Sequence, residues 1–212
     1  MKIALIGASG FIGSALLDEA LTRGHEVKAL VTRPERLTAR VGLTVEKSDA
    51  LDTVALTEQL RGAEVVLSAF SGHAQEDVYS YYVKGFNSIL TATHASGVLR
   101  LLVVGGAASL EVAPGQLLLD APGFPSEYRA TAEGAKTALE QLRNQQAQAW
   151  TMLSPAAEIF FGERTRKFRL GSDSLLTDAE GHSRISVQDY AVAMLDELEK
   201  PRHPNRRFCV AY

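Results

Sequence analysis

Apolar residues in this chain fall into short unbroken runs, separated by longer stretches in which apolar positions recur every three or four residues. KIALI (2–6), EVKALV (26–31), LTVEK (43–47), AEVVLSAF (63–70), LRLLVVGG (99–106) and AWTMLSP (149–155) are of the first kind. Runs of this length, ended by glycine, proline or polar residues, suit strands of a parallel sheet buried on both faces. Residues 11–23 are of the second kind, with Phe11, Ile12, Ala15, Leu16, Ala20 and Leu21 near a 3.6-residue period and Gly24 as a stop. Further helices are predicted from a cap at Asp52 to about Leu60, over 77–97, from about Ser126 to Gln146, and over 187–200. Ser186 reads as the cap of that last helix, with Asp189 completing a capping-box-like pair. RRFCVAY (206–212) is a final strand.

Strand and helix alternate at the spacing of right-handed βαβ crossovers, so the fold class is α/β with a doubly wound parallel sheet. There is no internal repeat and no low-complexity linker, and residues 1–212 are expected to form one domain. Beyond Pro155 the pattern changes to mixed polar turns. Residues 155–212 are too few for an independent domain and are expected to fold over the ligand-binding edge of the sheet.

Composition narrows the possibilities. A hydrophobic fraction of 46% and a charged fraction of 22% are those of a soluble globular protein with a sizeable core. The net charge of −3 supplies no overall basic field for nucleic acid or an anionic membrane, and neither is expected as a partner. Cys209 is the only cysteine, which excludes an internal disulfide and a multi-cysteine metal site. The histidines show no ligand spacing, so no metal is expected. The apolar start MKIALIG is too short for a secretory signal and no run approaches a membrane span, which makes a reducing cytoplasm the expected compartment.

The candidate chemistry begins at Gly7-Ala8-Ser9-Gly10-Phe11-Ile12-Gly13, between the first strand and the first helix. Gly7 permits a tight turn, Gly10 removes a Cβ where a pyrophosphate must approach, and Gly13 lets the helix pack on the sheet. The helix start then offers free N–H groups and a partial positive charge. A NAD site usually has a carboxylate at the end of the second strand, whereas this chain has Thr32 and Arg33 there, with Arg36 beyond. A guanidinium grips a 2′-phosphate through paired hydrogen bonds, which favours NADP(H) over NAD(H).

With Asp49-Ala50, Ser68-Ala69-Phe70, Gly105-Gly106-Ala107, Trp150-Thr151 and Ser154-Pro155-Ala156 added to that motif, the chain resembles the atypical short-chain dehydrogenase/reductase family over essentially its whole length. Within it the likeness is to the group of NAD(P)H–flavin reductases, biliverdin reductase B-like enzymes and NmrA-like regulators. The resemblance implies a Rossmann-type sheet. It sets Asp49 and Ala50 against the adenine, and Ser68, Ala69 and Phe70 along the adenosine ribose and diphosphate. Gly105 and Gly106 pass the nicotinamide ribose, and Pro155 and Ala156 lie against the nicotinamide. Asp49 has an ordinary alternative as a loop or capping carboxylate.

The family's proton relay is a serine with Tyr-x-x-x-Lys. Here Lys136 suits the lysine and Ser109 the serine region, but Ala132 stands four residues before the lysine and has no proton to transfer. Tyr128 is two helical turns from Lys136, about 12 Å along the axis, too far for the usual pairing. It either faces the pocket or lies on the surface. Ketone and alcohol chemistry needs the relay; hydride transfer to a flavin or quinone-like ring depends mainly on stacking. The implied activity is therefore an NADPH-dependent reductase of a small aromatic or quinoid acceptor, such as free flavin, with no tightly bound flavin. A nucleotide-sensing regulator without turnover and an epimerase/dehydratase-like enzyme are the alternatives. His73, just after the fourth strand, is the histidine best placed to reach a substrate, with a solvent-facing loop residue as its ordinary reading. Arg164, Arg166, Lys167 and Arg169 make a short basic run, either a contact for an anionic substrate or cofactor phosphate or, by default, a solvated loop. The oligomeric state is left open.

Overall fold

The computed structural model describes residues 1–73 and 75–212. Its strands are β1 (Lys2–Ile6), β2 (Glu26–Val31), β3 (Leu43–Lys47), β4 (Val65–Ser68), β5 (Arg100–Val104), β6 (Glu111–Ala113), β7 (Gln116–Leu117), β8 (Ala149–Ser154), β9 (Glu158–Phe160), β10 (Arg169–Gly171), β11 (Arg184–Ser186) and β12 (Arg206–Ala211). The helices are α1 (Phe11–Thr22), α2 (Thr53–Leu60), α3 (Val78–Ala95), α4 (Ser126–Asn144) and α5 (Val187–Glu199). Eight strands form one sheet in the order β10-β12-β8-β5-β4-β1-β2-β3. All neighbours run parallel except β10, which is antiparallel to β12. This is the Rossmann-type architecture the alternation implied. Among the described residues, no helix is long and apolar enough to cross a membrane.

The strands are apolar throughout because both faces are covered. Ile3 and Leu5 of β1 join the core beneath α1 and α5, with Leu16, Leu17 and Tyr190. Ala4 and Ile6 join the opposite core beneath α2, α3 and α4, with Leu56, Phe86 and Leu139. β5 repeats the pattern, sending Leu102 to the first core and Leu101 and Val103 to the second. Asp52 and Asp77 cap α2 and α3, accepting from the backbone N–H of Ala55 and Ser80 at 3.0 Å each.

Two stretches differ from the sequence reading. The proline-containing loop carries the β6–β7 hairpin, turned at Gly115 with φ +73°, which was not visible as an apolar run. Beyond Pro155, β9 pairs with β11 apart from the main sheet, and β10 extends the sheet's edge. The capping box is only half formed. Ser186 Oγ accepts from Asp189 N–H at 3.0 Å, but the buried Asp189 carboxylate turns to the Thr165 hydroxyl at 2.5 Å, Arg166 N–H at 2.7 Å and the Tyr212 hydroxyl at 2.9 Å.

The basic run is likewise not simply solvated. Arg164 grips Glu19 of α1 with two hydrogen bonds, at 2.7 and 2.8 Å, and Arg23 adds a third at 2.7 Å. Arg169 donates to the carbonyls of Thr177 and Tyr212. Burial works to raise the Glu19 carboxyl, but the hydrogen bonds and attraction of Arg164 and Arg23 outweigh it and hold the group below the usual carboxylate range. A depressed carboxyl contributes stability that is complete above its unfolded value, about 4.3, and is lost as the pH falls through the lower folded value. Glu19→Gln should therefore cost about 2 kcal/mol at pH 7 in urea denaturation. The difference from the parent should shrink below about pH 4; a gap that is constant with pH would show that the charge is not what matters.

Candidate functional site

The strand order reverses direction between β1 and β4: β2 and β3 build outwards from one side of β1, and β4, β5 and β8 from the other. Crevices of doubly wound sheets open at this point, outside the carboxyl ends of the strands. A cleft of about 620 Å³ lies there, reached by Gly10 after β1, Ala69 and Phe70 after β4, Gly105 and Gly106 after β5, and Pro155 and Ala156 after β8. Its far wall is the loop from Ala121 to Pro125 and the face of α4 bearing Tyr128, Thr131, Ala132 and Ala135.

The glycines have separate reasons. Gly7 has φ +80°, and a Cβ there would lie 2.6 Å from the Ala69 carbonyl oxygen. A Cβ on Gly13 would come within 2.0 Å of the Gly7 carbonyl oxygen. Both are required by the protein's own backbone. Gly10 is not: its φ is −81°, and a Cβ would meet nothing closer than 3.4 Å. The space saved at Gly10 faces the cleft, where Phe11, Ile12 and Gly13 begin α1 with no side-chain cap and no acidic residue in the first turn. An uncapped helix start beside a missing Cβ can hold an anion. Ala8 is buried in the core and Ser9 half-buried; neither lines the cleft. Phe11 is partly exposed and meets Phe161 edge to face, with ring centres 4.6 Å apart.

A second recess of about 430 Å³ holds Thr32, Asp49 and Tyr81. Tyr81 stacks on Phe70 with ring centres 5.5 Å apart, so this aromatic pair stands between recess and cleft. Phe70 in turn needs Gly85, where a Cβ would lie 2.3 Å from the ring. Asp49 Oδ1 accepts from Leu51 N–H at 2.9 Å, the loop role expected as its alternative, and its residue is exposed toward the recess. Ala50 and Ser68 are buried behind these surfaces rather than in them. Arg33 and Arg36 are exposed at either end of a single 3₁₀ turn after β2. At the cleft's centre, a Cβ on Gly105 would strike Met152 Cγ at 2.7 Å, and one on Gly106 would press Ala135 Cβ at 3.2 Å.

The expected catalytic set does not come together. Ser109 is buried outside the cleft, where its hydroxyl and carbonyl oxygens each accept from the Arg207 guanidinium at 2.9 Å. That guanidinium is itself buried and held by Asp173, so Ser109 serves to satisfy it. Lys136 is half-buried on α4 and does not line the cleft, whereas Ala132 does. Tyr128 combines both of its readings, being 58% exposed and part of the cleft wall. Tyr82 also reaches the cleft, but burial pushes its phenol well up.

His73 combines both of its readings: it is exposed, and it lines the cleft with a ring nitrogen 3.2 Å from the Thr131 hydroxyl. Phe124, Ala157 and Ile159, which sequence reasoning misses, also line it. Only Phe124 carried a usable signal, as an aromatic residue between prolines in a loop.

A doubly wound sheet with a bare first turn and a cleft across its switch point defines a dinucleotide-binding protein with an oxidoreductase-like fold. The particular family follows from residues 7–198, which match the NAD(P)H-binding family, and the chain belongs to it. It is 42% identical to the "uncharacterized protein YwnB" of Bacillus subtilis strain 168 over 99% of this chain and 98% of that one. A Bacteroides thetaiotaomicron structure named "putative epimerase" is 42% identical with a TM-score of 0.93, covering 100% of this chain and 96% of its own. A Streptococcus pneumoniae structure named "putative NADH-flavin reductase" is 34% identical with a TM-score of 0.88, covering 100% and 99%.

Gly10→Ala and Gly13→Ala should separate the two uses of glycine. Gly13→Ala should lower stability by about 3 kcal/mol or more in denaturant titration, because backbone has to move. Gly10→Ala should melt within about 2 °C of the parent. It should nonetheless lose about tenfold or more in NADPH affinity by calorimetry.

Proposed function

We propose that the protein is an NADPH-dependent reductase of a small aromatic or quinoid acceptor, free flavin included. One observation carries this reading. The cleft wall presents Ala132 where the family's proton-relaying tyrosine would stand, and most of the remaining lining is apolar. Such a wall suits a ring that accepts hydride by stacking and is protonated from solvent.

The chain's residues fit the dinucleotide in named roles. Gly10 and the first turn of α1 hold the diphosphate on peptide N–H groups. Arg33, seconded by Arg36, takes the 2′-phosphate, beside Thr32. Asp49 keeps its second carboxylate oxygen for the adenine amino group, with Ala50 behind. Ala69 and Phe70, with Ser68 buried behind them, border the adenosine ribose and diphosphate, Gly105 and Gly106 the nicotinamide ribose, and Pro155 and Ala156 the nicotinamide. Bound there, the reduced nicotinamide supplies the hydride. Phe70 and the 121–125 loop exclude water from one side of the cleft.

An epimerase acting on a sugar would need a proton relay and polar partners for hydroxyl groups, which this lining largely lacks. The absence of a tyrosine at 132 also favours a sensor that binds the dinucleotide without turnover, and that reading is the rival. The Cys209 thiol takes no part in this chemistry: burial pushes it up to about 11, and it donates to the Ser174 carbonyl.

Purified protein should oxidise NADPH when supplied with riboflavin, flavin mononucleotide or a small quinone. Binding of NADPH with background turnover across that panel would favour the sensor. Arg33→Ala should reduce the preference for NADPH over NADH about tenfold, the worth of an ionic hydrogen-bonded pair, in steady-state kcat/KM. Unchanged discrimination would take Arg33 out of this role.

A further inference from the structure

We infer that the acceptor half of the cleft is built for an uncharged ring system and takes the ring of a flavin without recognising its phosphate. The identity of the ring as hydride acceptor rests on the reductase reading; its charge preference rests on the lining itself.

Among the described residues lining the cleft there is no Lys, Arg, Asp or Glu. Its apolar lining includes Ala107, Ala108, Leu118, Phe124, Ala132 and Ile159. Its polar groups stand at the rim, namely Ser71, Tyr128 and the Thr131 hydroxyl with a His73 ring nitrogen at 3.2 Å. Groups of this kind can meet ring carbonyls and ring nitrogens.

The bordering guanidiniums are turned to other tasks. Arg129, one residue past Tyr128, lies over the Phe124 ring at 5.7 Å, donates to the Leu119 carbonyl at 3.3 Å and faces Glu133 at 3.9 Å. Arg184, across from β9, pairs with Glu158 at 2.9 Å and lies over the Phe160 ring at 5.0 Å. A phosphate brought into this half of the cleft would lose its hydration without gaining a lysine or arginine, which is strongly unfavourable. A phosphate left in the water outside would gain nothing. In either pose the phosphate adds no affinity, while the planar ring buries apolar surface against Phe124 and the alanines. The exposed cations Arg33 and Arg36 lie after β2, at the far side of the switch point. The exposed cations for a 2′-phosphate and the apolar lining for a ring therefore lie on opposite sides of the switch point.

The test is flavin binding to the protein saturated with NADP⁺, read by quenching of flavin fluorescence, with riboflavin and flavin mononucleotide compared. Riboflavin should bind as tightly as the phosphorylated flavin or more tightly. Tyr128→Arg, at an exposed position of the wall, should shift the ratio toward flavin mononucleotide about tenfold by creating one cation for the phosphate. Tighter binding of the phosphorylated flavin by the unaltered protein would overturn the inference. So would a ratio unmoved by Tyr128→Arg, or no binding of either flavin with NADP⁺ in place. NADP⁺ binding is measured in the same titration, and NADPH oxidation separately. Flavin binding without oxidation would count against the reductase reading and leave the charge preference standing.

Discussion

The close approach of three backbone segments at the first turn sets the conditions for everything else. The end of β1, the start of α1 and the end of β4 meet so tightly that neither residue 7 nor residue 13 has room for a Cβ. The helix is thereby drawn onto the sheet at the point where strand order reverses, with its free N–H groups directed across the strand ends. Packing alone explains those two glycines. It does not explain Gly10, which borders the cleft and where a Cβ would meet only the Gly7 carbonyl oxygen, at an ordinary 3.4 Å, and that asymmetry is the physical reason to read a ligand into the turn.

The same contrast decides how much could be read in advance. The central strands were legible because burial on both faces forces unbroken apolar runs, and the helices because one buried stripe forces a 3.6-residue period. The short strands β6, β7, β9, β10 and β11 are two or three residues long and largely exposed or half-buried, so neither rule leaves a trace in them. The glycine turn, Phe70 and the residues after β5 and β8 were legible because each is tied by chain connectivity to the carboxyl end of a strand. Arg33 was legible as a position, and its role belongs to the proposed function.

Side chains whose partners are far away in sequence were not legible. Ser109 lay in the right region for the family's serine, yet its hydroxyl is occupied by Arg207, ninety-eight residues on. Nothing local to Ser109 announces a buried guanidinium. The Thr131–His73 pair spans fifty-eight residues and joins the loop after β4 to α4. It stands beside Ala132 in the cleft wall, so hydrogen-bonding groups border a position that has no proton to transfer.

The tail shows how stability and site are joined. Arg164 fastens the segment after β9 to Glu19, in the middle of α1, and Phe161 of the same segment packs on Phe11 at that helix's first residue. Asp189 of α5 holds the next residues, Thr165 and Arg166, through their hydroxyl and N–H. Ile159 in β9 and Ala157 just before it, which lead into this segment, form part of the cleft wall. One helix therefore presents its amino end to the cleft and anchors, on its flank, the strap that continues from the cleft wall. The buried carboxylate at Glu19 has a positional reason here. An apolar contact would hold the strap to α1, whereas a carboxylate gripped by two guanidiniums also fixes its register along the helix, and with it the place of Ile159 over the cleft.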